Sequence, residues 1–172
     1  MPASQAKVLV VDDTEANIKL VRALLKGAGY EVVTATSGTD GLAVAAAEKP
    51  DLVLLDIMMP DLTGFEVCQR LRAAPETRQT PVVFLTALHE MEDHMKALDA
   101  GGDDILTKPI NKLELLTRVR SLLRIRALTI EIQEQRRFIH DLLKTYVSAE
   151  SAQRYLADPT GGLSLESLKP PS

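Results

Sequence analysis

Apolar residues in this chain follow two rhythms. Short unbroken runs recur along it: Val8-Leu9-Val10-Val11, Val32-Val33, Leu52 to Leu55, Val82-Val83-Phe84-Leu85 and Ile105-Leu106. Between them, apolar positions fall a helical turn apart: Ile18, Val21, Leu24 and Leu25, then Leu42, Val44 and Ala45. Val67 and Leu71 continue the pattern, followed by Met91, Met95 and Leu98. The runs have the character of strands buried on both faces, and the spaced segments have the period of amphipathic helices. Gly27 and Gly29 stand before the second run and Gly101 and Gly102 before the fifth, where helices are expected to end. Alternation of this kind predicts an α/β fold, an open, doubly wound, five-stranded parallel sheet with helices on both faces. Such sheets bind ligands outside the carboxyl ends of their strands, where the strand order reverses.

The residues at those ends are polar. Asp12 and Asp13 follow the first run, Asp56 the third, Thr86 the fourth, and Lys108 comes shortly after the fifth. One sheet edge would therefore gather three carboxylates, a hydroxyl and an ammonium. Crowded carboxylates repel one another and raise the pKa of at least one. A hard divalent cation relieves the crowding, and Mg²⁺ suits a few carboxylates with backbone oxygen and retained water. Cation, ammonium and hydroxyl together match the oxygens of a phosphoryl group, with a carboxylate as its acceptor. Asp56, alone at the end of the central run, is the expected nucleophile, and the Asp12-Asp13 pair the expected metal holder. Each residue also has a plainer reading: Asp12-Asp13 and Thr86 as helix-start residues, Lys108-Pro109 as a turn. Convergence on one edge favours the functional reading.

The stretches LVVDD, LLDIMMPDLTGFE, FLTA and ILTKP resemble the receiver domain of bacterial two-component response regulators, over roughly residues 5–126. The resemblance implies a flavodoxin-like sheet in the order 2-1-3-4-5. It implies that Asp56 accepts a phosphoryl group from a partner histidine kinase or phosphotransfer protein, or from a small donor such as acetyl phosphate. Asp12 and Asp13 would hold Mg²⁺ with Asp56 and the backbone carbonyl of Met58. Lys108 would contact the phosphoryl oxygens, its bond to Pro109 matching a cis linkage in the family, and Thr86 would move toward the phosphoryl group. The family usually has Tyr or Phe three residues before the lysine, and this chain has Ile105 there. Met58 and Leu88, each two residues past a key position, are apolar and are expected to hinder water, slowing self-dephosphorylation.

The helical pattern continues past residue 124, where a receiver should end. No Pro or Gly occurs between Asn111 and Val147, so about 37 residues can form one helix of roughly 55 Å. Heptad positions from Ile125 read Ile125, Leu128, Ile132, Gln135, Ile139, Leu142 and Tyr146, with Glu131 at g and Arg136 at the following e. This pattern predicts a parallel two-stranded coil and a homodimer through residues 125–147. The alternative is an amphipathic helix folded back on its own domain. Residues 148–158 are expected to form a short connector helix capped by Ser148, and 159–172 a flexible tail. The segment TYVSAESAQRYLADP resembles the connector before class III nucleotide cyclase domains, which implies a cyclase output outside this chain. The chain itself carries no cyclase residues.

Composition refines this picture in a few places. Apolar content of 45% and charged content of 26% are those of a globular protein. No apolar stretch is long enough for a membrane span, and a single cysteine fits a reducing cytoplasm. Cys68 reads as packing. The formal charge of −4 is uneven: residues 1–110 hold 17 acids and 10 bases, and 111–172 hold 7 acids and 10 bases. Arg118, Arg120, Arg124 and Arg126 could suggest nucleic acid, but no recognition helix accompanies them, and a solvated face is the better reading. An aspartyl-nucleophile phosphatase would place a second acid where Met58 stands, and a nucleotide-binding enzyme would need a glycine-rich loop after Val11. A stand-alone dimeric receiver acting on a separate partner stays open.

Overall fold

The computed structural model describes residues 5–87 and 91–146, together with 153 and 157. Five strands and five helices alternate strictly. In chain order they are β1 (Lys7–Val11), α1 (Glu15–Gly27), β2 (Glu31–Ala35), α2 (Gly38–Glu48) and β3 (Leu52–Asp56). There follow α3 (Gly64–Ala73), β4 (Val82–Thr86), α4 (Met91–Asp99), β5 (Asp104–Thr107) and α5 (Lys112–Tyr146). All neighbouring strands are parallel, in the order β2-β1-β3-β4-β5. The chain therefore steps from β1 to one side, then returns past it to β3, and the order reverses between β1 and β3.

Burial explains the unbroken apolar runs. Every residue of β3 and β4 is buried, as are the last four of β1, whereas the edge strands β2 and β5 are only partly so. The two-residue period of each strand sends alternate side chains to opposite cores. Leu9, Val11, Val53, Leu55 and Phe84 pack with Val67, Cys68 and Leu71 of α3 and Ala97 of α4. Val8, Val10, Leu52, Leu54, Val83 and Leu85 pack with Ile18, Val21 and Leu25 of α1 and Leu115 and Val119 of α5. Cys68 is fully buried and its thiol is pushed up to about 11 by that burial, as a packing residue should be.

Two polar tethers fix the loops. Asp61, from the turn after β3, accepts from the backbone N–H groups of Gly38 and Thr39 at 3.1 and 2.8 Å, capping α2 from outside the helix. Ser37 adds the local cap, accepting from the Asp40 N–H at 3.1 Å. At the other edge of the sheet, Arg72 donates to the carbonyls of Gly101 at 2.9 Å, Arg78 at 3.0 Å and Thr80 at 2.6 Å, and to Asp103 at 2.8 Å. Asp103 in turn accepts from the N–H of Val82 at 2.8 Å, so one guanidinium joins α3 to the starts of β4 and β5.

The helical pattern needs one correction. On α4, Met95 and Leu98 are 58% and 64% exposed, and Ala97 makes the core contact with Ala100 just beyond the helix. Small residues let this helix lie close to the sheet, which leaves Met95 and Leu98 outside.

The chain divides into two compact units, one ending at Arg126 and the other beginning at Ala127. α5 runs 35 residues without interruption. The coil positions Ile125, Leu128, Ile132, Ile139, Leu142 and Tyr146 are between 40% and 79% exposed. The connector expected over 148–158 lies outside the described residues except at Gln153 and Ala157, both helical, and the tail over 159–172 lies wholly outside them.

Hydrogen bonds from α2 hold the Asp61 carboxyl well below the usual carboxylate range. A depressed folded-state pKa means stability that is present above the unfolded value and lost as pH falls toward the folded one. Asp61→Asn is expected to lower the melting temperature at pH 7. The difference from wild type should shrink below about pH 4, which melts recorded across acid pH will check.

Candidate functional site

The strand ends deliver the side chains anticipated from the sequence to one edge, with small shifts of register. Asp56 and Thr86 are the last residues of β3 and β4 rather than the first beyond them, while Asp12 and Lys108 follow their strands directly and Asp13 comes one residue later. Asp12, Asp56 and Thr86 are buried, and Asp13 is exposed. Carboxylate oxygens of Asp12, Asp13 and Asp56 lie within 4.8 Å of one another. The Lys108 ammonium lies 3.2 Å from Asp12 Oδ2 and 3.2 Å from Asp56 Oδ1.

Local bonds set these positions. Asp12 does not cap α1: its Oδ1 accepts from the Thr14 N–H at 2.8 Å, and Thr14 is the N-cap residue. The N–H of Lys108 donates to the Thr86 carbonyl at 2.7 Å, and Thr86 faces Thr107 in register, so hydroxyl and ammonium sit on one ladder. The Lys108–Pro109 peptide is cis. Met58, in the turn after β3, is 66% exposed. Leu88 lies outside the described residues. Ile105 is half-buried against the core that contains Phe84 and Ala97.

Electrostatics follow from this crowding. Burial, then the neighbouring Asp12 charge, push the Asp56 carboxyl up to about 6, and the Lys108 ammonium only partly offsets them. Burial alone would lower the pKa of Lys108, but Asp56 and Asp12 outweigh it and the value is raised. Three carboxylates against one ammonium leave net negative charge at a partly buried site. The donors are all hard oxygens, with neither thiolate nor imidazole among them, so the set fits Mg²⁺ better than a softer ion.

Some parts of the site were not legible in advance. Gly64, the first residue of α3, donates its N–H to the Ile57 carbonyl at 2.9 Å and closes the turn behind Asp56. A Cβ there would strike the carbonyl oxygen of Asp56 and come within 2.9 Å of the Ile57 Cα. A cavity of about 140 Å³ adjoins Asp12 and Lys108, walled by Asn17, Leu20, Val21, Leu85, Pro109 and Ile110. Its walls come from α1, β4 and the segments that follow β1 and β5, and no local spacing announces it.

Comparison with known proteins shows the family. Residues 8–120 match the family model described as the response regulator receiver domain. The chain belongs to that family. It is 47% identical over 130 residues to the response regulator PleD of Caulobacter vibrioides, a match covering 76% of this chain and 29% of that protein. It is also 47% identical over 118 residues to the DNA-binding dual master transcriptional regulator RpaA of Synechocystis, covering 69% of this chain and 49% of that one. The chain thus spans at most half the length of these relatives. Among solved structures, the Vibrio cholerae chemotaxis protein CheY4 aligns with a TM-score of 0.67 and 34% identity, covering 69% of this chain and 99% of that one. The receiver domain of the sensor histidine kinase PA1611 of Pseudomonas aeruginosa, solved with magnesium in its active-site cleft, aligns with a TM-score of 0.66 and 28% identity over 70% and 98%. Among the described residues of this receiver, no helix is long and apolar enough to cross a membrane.

Gly64→Ala is expected to displace the turn that carries Asp56 while leaving the sheet folded. Mg²⁺ affinity should fall by about tenfold, as when a supporting contact to metal ligands is lost. Calorimetric titration, with circular dichroism to verify the fold, tests this.

Proposed function

We propose that this receiver accepts a phosphoryl group on Asp56 from the phosphohistidine of a histidine kinase or phosphotransfer protein, or from a small acyl phosphate. The observation that carries the reading is the Lys108 ammonium held 3.2 Å from both Asp12 and Asp56 at the edge where the sheet order reverses. A carboxylate oxygen of Asp56 forms the new bond to phosphorus as the bond to the donor nitrogen or oxygen breaks, and the donor leaves with that electron pair. Lys108 balances charge on the phosphoryl oxygens, and the Thr86 hydroxyl donates to one of them. Asp12, Asp13, Asp56 and the backbone carbonyl of Met58 would hold Mg²⁺. When bound, the cation supplies the positive charge that three crowded carboxylates and an incoming phosphoryl group require.

The chain acts as a regulatory phosphoacceptor rather than a turnover enzyme, since Met58 stands where an aspartyl phosphatase needs its second acid. Met58 also shields the acyl phosphate from water. The phosphorylated protein is expected to persist for minutes or longer in Mg²⁺, followed by loss of label after donor removal; a lifetime of seconds contradicts the shielding. Ile105 has no ring to rotate, so Thr86 cannot be coupled outward through an aromatic at that position.

Output runs through α5. The exposed apolar positions from Ile125 to Tyr146 support a parallel two-stranded coil over residues 125–147, with Glu131 at g facing Arg136 at e of the partner. In this organisation residues 1–124 form the receiver, 148–158 a connector helix and 159–172 a flexible tail. The resemblance of the connector supports a class III cyclase as the output, and a cytoplasmic setting fits such a partner. A stand-alone dimeric receiver is the alternative if no output domain follows. Direct nucleic-acid binding is not expected from a single continuous helix.

Light scattering during size exclusion, with and without Mg²⁺ and beryllofluoride, tests both parts on wild type and Asp56→Asn. A dimer in every condition means that the coil holds the subunits and phosphorylation adjusts its geometry. A monomer that pairs only with beryllofluoride, and not as Asp56→Asn, makes association itself the response. A monomer throughout overturns the coil.

A further inference from the structure

Arg126 closes the first compact unit, and its side chain reaches the sheet edge where the strands begin, opposite the carboxylate site. Nη1 donates to the Gln79 carbonyl at a long 3.4 Å, while Nε stands 3.7 Å from Asp51 Oδ1. That Nε is buried and makes no hydrogen bond, an arrangement folded proteins avoid because the donor has lost its water. An acceptor stands ready. Asp51 commits Oδ2 to the N–H of Lys7 at 2.8 Å and turns Oδ1 toward Arg126. A movement of less than about 1 Å converts the ion pair into a charge-assisted hydrogen bond.

The two partners of Arg126 are placed on particular strands. Asp51 immediately precedes β3, which ends in Asp56, and Gln79 lies just before β4, which ends in Thr86. The guanidinium therefore touches the starting ends of the two strands whose finishing ends, about 17 Å away, carry the phosphoacceptor and the hydroxyl. Both strands are wholly buried, and close-packed interiors transmit displacement rather than absorb it.

We infer that Arg126 and Asp51 form a two-position clasp linked to Asp56, open as seen here and closed through an Nε–H to Oδ1 hydrogen bond, with phosphorylation favouring the closed position. Thr86 drawn toward a phosphoryl group pulls β4 toward its finishing end and takes the Gln79 carbonyl with it. The long bond from Nη1 gives way first, and the guanidinium settles on Asp51. Because Arg126 is also a residue of α5, the clasp joins the phosphoacceptor strands to the helix that leaves the domain. This inference rests on the reading of Asp56 as phosphoacceptor and deepens it.

Linkage provides the test, since a contact favoured by the phosphorylated state must in turn strengthen binding of a phosphoryl mimic. Beryllofluoride affinity in Mg²⁺ is measured by calorimetry on wild type, Arg126→Gln, Asp51→Asn and the double variant, all as the full chain. Arg126 occupies a b position, off the coil seam, so these substitutions leave the a and d positions intact. Each single variant is expected to bind at least about threefold more weakly than wild type, with the double variant no weaker than either single, as for one shared contact. Single-variant affinities within twofold of wild type overturn the clasp, even if the free proteins melt lower, because a merely structural pair would do only that. Effects that add in the double variant overturn it too. Wild type that fails to bind beryllofluoride overturns the phosphoacceptor reading itself, an outcome distinct from the others.

Discussion

Like charges held together against their repulsion are the constraint around which this domain is arranged. Asp12, Asp13 and Asp56 would separate if their backbones were free to move. Two of the three are anchored on or directly after strands that are buried nearly end to end, and Lys108 lies between Asp12 and Asp56 as partial relief. The balance is deliberately incomplete in physical effect: burial and Asp12 outweigh the ammonium, and the Asp56 carboxyl stays near 6. What remains unbalanced is an affinity for positive charge and for a group that brings its own anionic oxygens under a cation.

The same constraint explains why so much was legible in the sequence. Central strands of a parallel sheet must be apolar on both faces, so β1, β3 and β4 appear as unbroken runs, and polar residues at their ends become conspicuous. The topology rule then places those ends side by side. Features made by distant partners were not legible. Asp61 caps a helix that begins 23 residues earlier, Arg72 gathers carbonyls from two loops, and Gly64 matters because of the backbone it faces. On α4 the spacing of Met95 and Leu98 was right for a helix and misleading for its inner face, because alanine carries the contact there.

Ile105 and α5 belong to one question, how an event at the edge of a sheet leaves the domain. An aromatic at position 105 would offer a surface route across β5. An aliphatic side chain packed on the Phe84 core leaves that route with little to display. α5 differs in kind. It starts beside the site, contributes Leu115 and Val119 to the core, and continues unbroken to Tyr146. A continuous hydrogen-bonded helix carries rotation and translation along its axis without needing a moving side chain at each step.

Asp61 has a further consequence for the order in which the chain can assemble. α2 precedes the turn that caps it, and that turn exists only once β3 has been laid beside β1 and the chain has reversed toward α3. During synthesis from the N-terminus, β1, α1, β2 and α2 can therefore emerge with the leading end of α2 still lacking its external acceptor. Completion of the turn beyond Asp56 then secures a helix made earlier. The loop that frames the phosphoacceptor is in this sense also the keystone of the preceding half of the domain.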